Sequence, residues 1–180
     1  MEKEKSLAFS KDVIEFTTVA TEYCKFLETA QGMGCRQFVE TNLKLLPLLY
    51  LKAQFLPLVE VLGDGDVEES VSEDDYEYIR SVVISVMGAH DDYLDVFVED
   101  MKYSVEPIRK CISEDLSDIY QDLRNFLGVY RNGMEEPIID ALYVLRENFA
   151  HYWGQTLVNT MRALHDVLYN QDLEVDEDDL

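Results

Sequence analysis

The sequence is poor in the residues from which covalent and metal frameworks are built. Its 180 residues include three cysteines, and Cys24, Cys35 and Cys111 show neither a redox spacing nor a zinc-ligand spacing. A disulfide scaffold and a zinc ribbon are thereby excluded. Eight glycines and four prolines exclude a low-complexity or collagen-like chain. Positive charge is scarce as well, with 15 Lys and Arg against 37 Asp and Glu and a net charge of −22. Because nucleic-acid affinity comes largely from Lys and Arg neutralising phosphates, no nucleic acid is expected as a partner. Long uncharged runs are missing too. The most apolar stretch, Leu43 to Leu62, carries Lys44, Lys52, Gln54 and Glu60 and is interrupted by Pro47 and Pro57, whereas a membrane helix needs about 20 nearly uncharged residues. No membrane is therefore expected. The first ten residues lack the apolar core of a signal peptide, so a cytoplasmic protein with free thiols is expected. There is no Gly-x-Ser-x-Gly elbow, phosphate-cradling glycine loop or dinucleotide fingerprint, so the usual hydrolase, kinase and dehydrogenase classes drop out.

What remains is enough for one core. At 47% hydrophobic and 11% aromatic, the chain has the material for a single domain of ordinary size. The expected organisation is a flexible N-terminus over 1–9, one helical-bundle domain over 10–170, and an acidic disordered tail over 171–180. Eight carboxylates fall within residues 64–77 and six within 172–179. Runs of this kind read either as solvated segments that confer solubility or as a lure for a basic partner.

Apolar residues recur at i, i+3, i+4 and i+7 almost throughout, which predicts an all-α fold: an antiparallel bundle of about five long helices. The first spans about Lys11 to Gln31 with Ser10 as N-cap and Val13, Phe16, Thr17, Ala20, Tyr23, Cys24 and Leu27 on one face. The second, about Cys35 to Val61, is apolar on nearly all sides and is expected at the centre, kinked or split by Pro47. The third begins after Ser72, with Glu73, Asp74 and Asp75 suited to the positive end of the helix dipole, and runs to about Asp100. Its stripe includes Ile79, Val82, Val83, Val86, Met87, His90, Tyr93, Leu94, Phe97 and Met101. The fourth covers about Glu106 to Tyr130, with Ile112, Leu116, Ile119, Leu123, Phe126 and Leu127 inward and Glu114, Asp118 and Asp122 on the other side. A fifth, about Glu135 to Tyr169, places Pro137 in its first turn, where a missing N–H is harmless.

Metal chemistry is the sharpest idea this pattern raises. A ferritin-like site needs Glu-x-x-His pairs on two helices, and that constellation is missing. Glu147 and His151, at i and i+4, point away from the fifth helix's seam of Ile138, Leu142, Leu145, Phe149, Tyr152, Thr156, Thr160, Leu164 and Val167 and are expected in solvent. His151 and His165 are separated by about 21 Å along a helix and cannot share an ion. Asp74-x-x-Glu77 and Asp92-x-x-Asp95 are about 27 Å apart on a continuous third helix and do not converge. His90 lies within the third helix's apolar stripe, with Asp91 and Tyr93 beside it. These three form the candidate ligand or buried polar site, the alternative being a buried neutral imidazole hydrogen-bonded to a tyrosine or a carbonyl. Tyr152 and Trp153 are candidates to line a groove for a partner helix, the alternative being simple core packing. No catalytic residue, metal ligand set or cofactor is assigned.

Leu45-Leu-Pro-Leu-Leu-Tyr-Leu-Lys-Ala53, together with Phe16, Ala20, Glu22, Tyr23, Cys24, Phe26, Leu27 and Glu28, resembles a bacterial family, domain of unknown function 5063. His90-Asp-Asp92 and the segment Phe149 to Trp153 fit the same resemblance, which extends over nearly the whole chain. It implies a small, soluble, all-helical bacterial protein and supplies no site residues.

Two functional readings follow. The leading one is a non-enzymatic interaction or regulatory module that binds a protein partner, or itself, through an apolar or aromatic groove. The alternative is a metal-dependent hydrolase or small-ligand enzyme with a site around His90.

Overall fold

The computed structural model describes residues 6–95 and 107–173. Helices dominate: α1 (Lys11–Glu28), α2 (Cys35–Gln54), α3 (Glu73–Met87), α4 (Ile112–Arg131), α5 (Glu135–Asn148) and α6 (Gly154–Asn170). A five-residue π turn, Phe149–Trp153, joins α5 to α6 in one uninterrupted helical run. The expected fifth helix is therefore present at nearly its full length. An antiparallel two-stranded ladder, β1 (Asp92–Leu94) with β2 (Arg109–Cys111), pairs Asp92 with Cys111, Tyr93 with Lys110 and Leu94 with Arg109. The all-α class is correct, and the small ladder is an addition to it.

α1 buries Val13, Phe16, Ala20, Tyr23, Cys24 and Leu27 of the face its periodicity predicts, with Thr17 half-buried at its edge. Phe16 meets the Phe126 ring edge-on at 6.0 Å, and the Tyr23 hydroxyl donates to the Leu116 carbonyl at 2.9 Å. Both contacts tie α1 to α4. The Tyr23 bond also satisfies a hydroxyl that full burial would otherwise leave costly. Ahead of α1, Leu7–Phe9 form a 3-10 turn whose Ala8 is fully buried.

α4, rather than α2, takes the centre. It packs against α1, α3, α5 and α6 and buries residues around most of its circumference, among them Ile112, Asp115, Leu116, Ile119, Tyr120, Leu123 and Phe126. α2 lies outside it between α1 and α6. Pro47 sits inside the continuous α2 and does not split it. Phe38, Val39, Leu46, Leu49 and Ala53 supply its buried face, while Leu48, Leu51 and Phe55 are exposed. The leucine content that suggested a surrounded helix thus serves two faces, one of them open to solvent.

α3 departs most from expectation. It starts as predicted, with a reciprocal capping box in which the Ser72 hydroxyl accepts from the Asp75 N–H and the Asp75 carboxylate accepts from the Ser72 N–H. It ends at Met87 instead of near Asp100, because Gly88 adopts φ +53°, a left-handed value that closes a helix. Beyond Gly88 the 100° spacing no longer applies, so His90, Tyr93 and Leu94 leave the stripe and Asp92 and Asp95 are not helical. Phe97 and Met101 lie outside the described residues.

Candidate functional site

The three neighbours His90, Asp91 and Tyr93 reach three different elements. His90, on a 3-10 turn and partly exposed, has Nδ1 2.6 Å from Gln171 Oε1, and since that oxygen only accepts, Nδ1 carries the proton. The interior histidine expected from the stripe is instead a link between this turn and the end of α6. Asp91 accepts from the Ser113 N–H and the Ser113 hydroxyl, both at 2.7 Å, and its carbonyl accepts from Ile112 N–H at 2.8 Å. A carboxylate from another element thus caps α4, at the end of the helix dipole that favours negative charge.

One carboxylate oxygen each from Asp91 and Asp92 and the Cys111 sulfur lie within 4.8 Å of one another. The donors are already engaged. Ser113 occupies both Asp91 oxygens, Arg109 stands 3.5 Å from Asp92, and the Cys111 thiol donates to Asp92 at 3.4 Å. Burial, aided by the bond to Asp92, pushes that thiol up to about 11. The arrangement fits a hydrogen-bonded junction of ladder and helix.

Tyr93 leads into a line of carboxylates that the sequence reading did not assemble. Its hydroxyl donates in a short bond to Asp115, which also accepts from the Thr160 hydroxyl at 3.2 Å and lies 3.8 Å from Lys110 Nζ. Burial raises the Asp115 carboxyl to about 6 against the Tyr93 bond and the Lys110 charge, which lower it. One turn on, Asp118 receives the Tyr76 hydroxyl at 2.7 Å and the Tyr152 hydroxyl at 2.5 Å. Burial, then these bonds, hold both phenols well above their ordinary range. Asp122 follows, accepting from Asn148 Nδ2 at 2.8 Å, and burial raises its carboxyl too. It opens on a cavity of about 410 Å3 shared with Asp66, Glu69, Gln121, Asn125 and Asn148. The spacing 115, 118, 122 was visible as i, i+3, i+7. What it lacked was the knowledge that α4 is enclosed, so that its second face points at tyrosines rather than water.

The π turn sends adjacent aromatics apart. Tyr152 is about half exposed and spends its hydroxyl on Asp118. Trp153 is fully buried and lines no groove, its Nε1–H donating to the Leu145 carbonyl at 3.2 Å. Core packing is thus the correct reading of Trp153. His151 and Glu147 are exposed as expected, 3.7 Å apart. The turn is closed by the bond from Gly154 N–H to the Phe149 carbonyl, and a Cβ on Gly154 would stand 2.5 Å from that oxygen and 3.0 Å from the Phe149 ring. Backbone on one side and a packed ring on the other leave no easy relief. Gly154→Ala is therefore expected to cost about 2 kcal/mol of unfolding free energy, read as a lower urea midpoint; an unchanged midpoint would show that the turn relaxes freely.

A second open feature lies on the opposite flank. Two adjoining cavities of about 420 and 440 Å3 between α2 and α6 share Tyr50 and Val158. Leu43, Pro47 and Met161 complete one, and Ala53, Phe149 and Gly154 help form the other. Leu48 and Leu51, each next in sequence to a residue that lines this groove, and the α2 C-cap Phe55 follow one another at i, i+3, i+7, exposed at 41%, 50% and 56%. Among the described residues no helix is long and apolar enough to cross a membrane.

This architecture has known counterparts. The family described as a domain of unknown function (DUF5063) matches residues 8–170. The chain belongs to that family. A crystal structure of protein BF1032 from Bacteroides fragilis is 48% identical and superposes with a TM-score of 0.80, covering 91% of this chain and 99% of that one. No curated protein matches. Within this family member, the segment Leu45 to Ala53 divides its roles: Leu46, Leu49 and Ala53 are buried, whereas Leu48 and Leu51 face outward.

Proposed function

We propose that the chain is a non-enzymatic interaction module that docks a partner on the apolar surface made by α2 and the α2–α6 groove. The observation that carries this reading is the exposed stripe Leu48, Leu51, Phe55 lying beside a groove floored by Leu43, Tyr50, Val158 and Met161. Exposed large apolar groups gathered in one place, rather than scattered singly, mark interaction surfaces. The clustered polar groups support the same conclusion from the other direction. His90, Asp91, Tyr93, Asp115 and Asp118 each hold a partner within the fold, which suits side chains that fix structure better than side chains held ready for a substrate.

The test is photo-crosslinking in cells, with a photoreactive residue at position 51 and, as a control, at the exposed position 151. A discrete adduct from 51 alone, lost in a Phe55→Asp background that keeps its melting temperature, is the expected outcome. Equal labelling from the two positions, or none from 51, would overturn the proposal.

A further inference from the structure

We infer that the α2–α6 groove takes an acidic amphipathic helix of a partner protein, an inference that rests on the docking reading above and names the chemistry of its occupant. The charge around the groove is the reverse of the chain's own. Carboxylates outnumber Lys and Arg by 37 to 15, yet among the described residues no carboxylate lines either cavity, and the cationic or basic side chains that do are Arg146, Arg162 and His165. Lys44 stands one turn before Leu48 at the head of the exposed stripe.

These cations are held in place without a contact ion pair among the described residues, although the charges of Arg162 and His165 reach Asp166 and, after the bonds from Gln171 and Asn170, help lower its carboxyl. Arg162 Nη2 donates to the Leu94 carbonyl at 2.6 Å with its guanidinium 5.8 Å from the Tyr93 ring centre, and Arg146 donates to the Leu56 carbonyl. Carbonyl bonds fix a guanidinium and leave its charge and its remaining N–H groups free for a carboxylate. Among the described residues none of Lys44, Arg146, Arg162 and His165 forms an ion pair within 4.0 Å. Asp166, one turn beyond Arg162, gives its carboxylate to Asn170 and Gln171 at 2.9 and 3.0 Å.

An apolar floor between two helices with a cationic rim receives a helix whose anchors repeat at i, i+3, i+7 and whose flanks carry Asp or Glu. A second copy of this chain fits less well. Its own exposed stripe begins at Lys44, which would bring cation to cation, and two bodies of net charge −22 repel. At physiological salt, screening over about 8 Å leaves the local rim, rather than the total charge, to select the occupant.

The test is selection on the full-length protein from a displayed library of helical peptides. Leucines are fixed at i, i+3, i+7 and i+10, and each polar position is randomised among Glu, Gln and Lys. Enrichment of Glu over Lys is expected, with selected peptides weakened about fivefold by Arg162→Glu, the scale of an exposed ion pair. Binding is expected to be abolished by Val158→Asp, a substitution at an exposed groove position that circular dichroism should show still folded. Lys enrichment, no charge preference, no binder, or binding indifferent to Val158→Asp would each overturn the acidic partner. A light-scattering dimer dissolved by Val158→Asp would overturn it in favour of self-association. Charge-neutral binding that Val158→Asp still abolishes would leave the docking surface standing, whereas a failed crosslink at position 51 would remove both.

Discussion

Truncating Trp153 to alanine is expected to cost about 4 kcal/mol of unfolding free energy, the scale measured when a large aromatic is removed from a core. The side chain is fully buried, its ring meets Phe149 edge-on at 4.6 Å, and its indole N–H donates to Leu145. Three contributions therefore vanish together: apolar burial, the ring pair and the indole N–H bond to a carbonyl that also accepts from the Phe149 N–H. Trp153→Phe separates them, because it keeps much of the ring and removes the N–H; its loss is expected to be smaller by about 2 kcal/mol. Since domains of this size are stable by only about 5–15 kcal/mol, the alanine variant should show a clearly lowered urea midpoint. The transition must be followed by far-ultraviolet circular dichroism, because Trp153 is the chain's single tryptophan. A cost below about 1 kcal/mol for the alanine variant would mean that the π turn repacks without its anchor.

The same turn shows where periodicity succeeds and where it stops. Val13, Phe16, Ala20, Tyr23 and Leu27 read correctly because α1 runs unbroken and offers one face to the core. α5 and α6 also read as one helix, yet the inserted π turn shifts the helical phase within it. A uniform 100° spacing carried through that turn puts Tyr152 on the inward seam, whereas Trp153 enters the core and Tyr152 reaches Asp118.

At Gly88 the error was larger, since a glycine in apparent helical register proved to be a terminator. What followed, Asp92-Tyr-Leu, opens a run rich in aromatic and β-branched residues, a strand signal that the longer helical stripe outweighed. Centrality was illegible for another reason. α2 has the more leucines, but α4 has Asp115, Ser117 and Tyr120 satisfied by neighbours. Polar residues that find partners count as buried no less than leucines do. The Asp115–Asp118–Asp122 line stayed hidden because its partners come from three stretches remote from α4 in sequence: Tyr76 on α3, Tyr93 on β1, and Asn148, Tyr152 and Thr160 along the α5–α6 run.

Between about pH 4 and pH 7 the Asp115 carboxyl is expected to withdraw about 3 kcal/mol of stability. The sign follows from its elevated folded-state value, about 6 against an ordinary 3.8. The folded chain holds this proton more tightly than the unfolded one, so the contribution is complete below about pH 4 and is lost as pH rises through about 6. Burial is the main cause. The groups facing the carboxyl are Tyr93 from β1, Lys110 from β2, Asp118 along α4, Thr160 from α6, Tyr23 from α1 and Tyr152 from the π turn. Of these only Lys110 is a cation, and at 3.8 Å it offsets burial in part.

Asp140 works in the opposite sense. Burial alone would raise its carboxyl, but bonds from the Leu62, Gly63 and Gly65 N–H groups hold it below the ordinary range, so its contribution is lost as pH falls. The total profile mixes the two effects, and the informative quantity is the difference between the wild type and Asp115→Asn. Measured by urea unfolding at about pH 4 and about pH 7.5, that difference should shift by about 3 kcal/mol in favour of the asparagine variant as pH rises. A difference independent of pH would show that Asp115 titrates as an ordinary carboxyl. Because Tyr93, Lys110 and Thr160 meet at this one group, the effect should be felt locally first. Amide exchange at Tyr93 and Lys110, the paired residues of the ladder, should quicken between those two conditions by more than the intrinsic rise with pH, and Asp115→Asn should remove the excess.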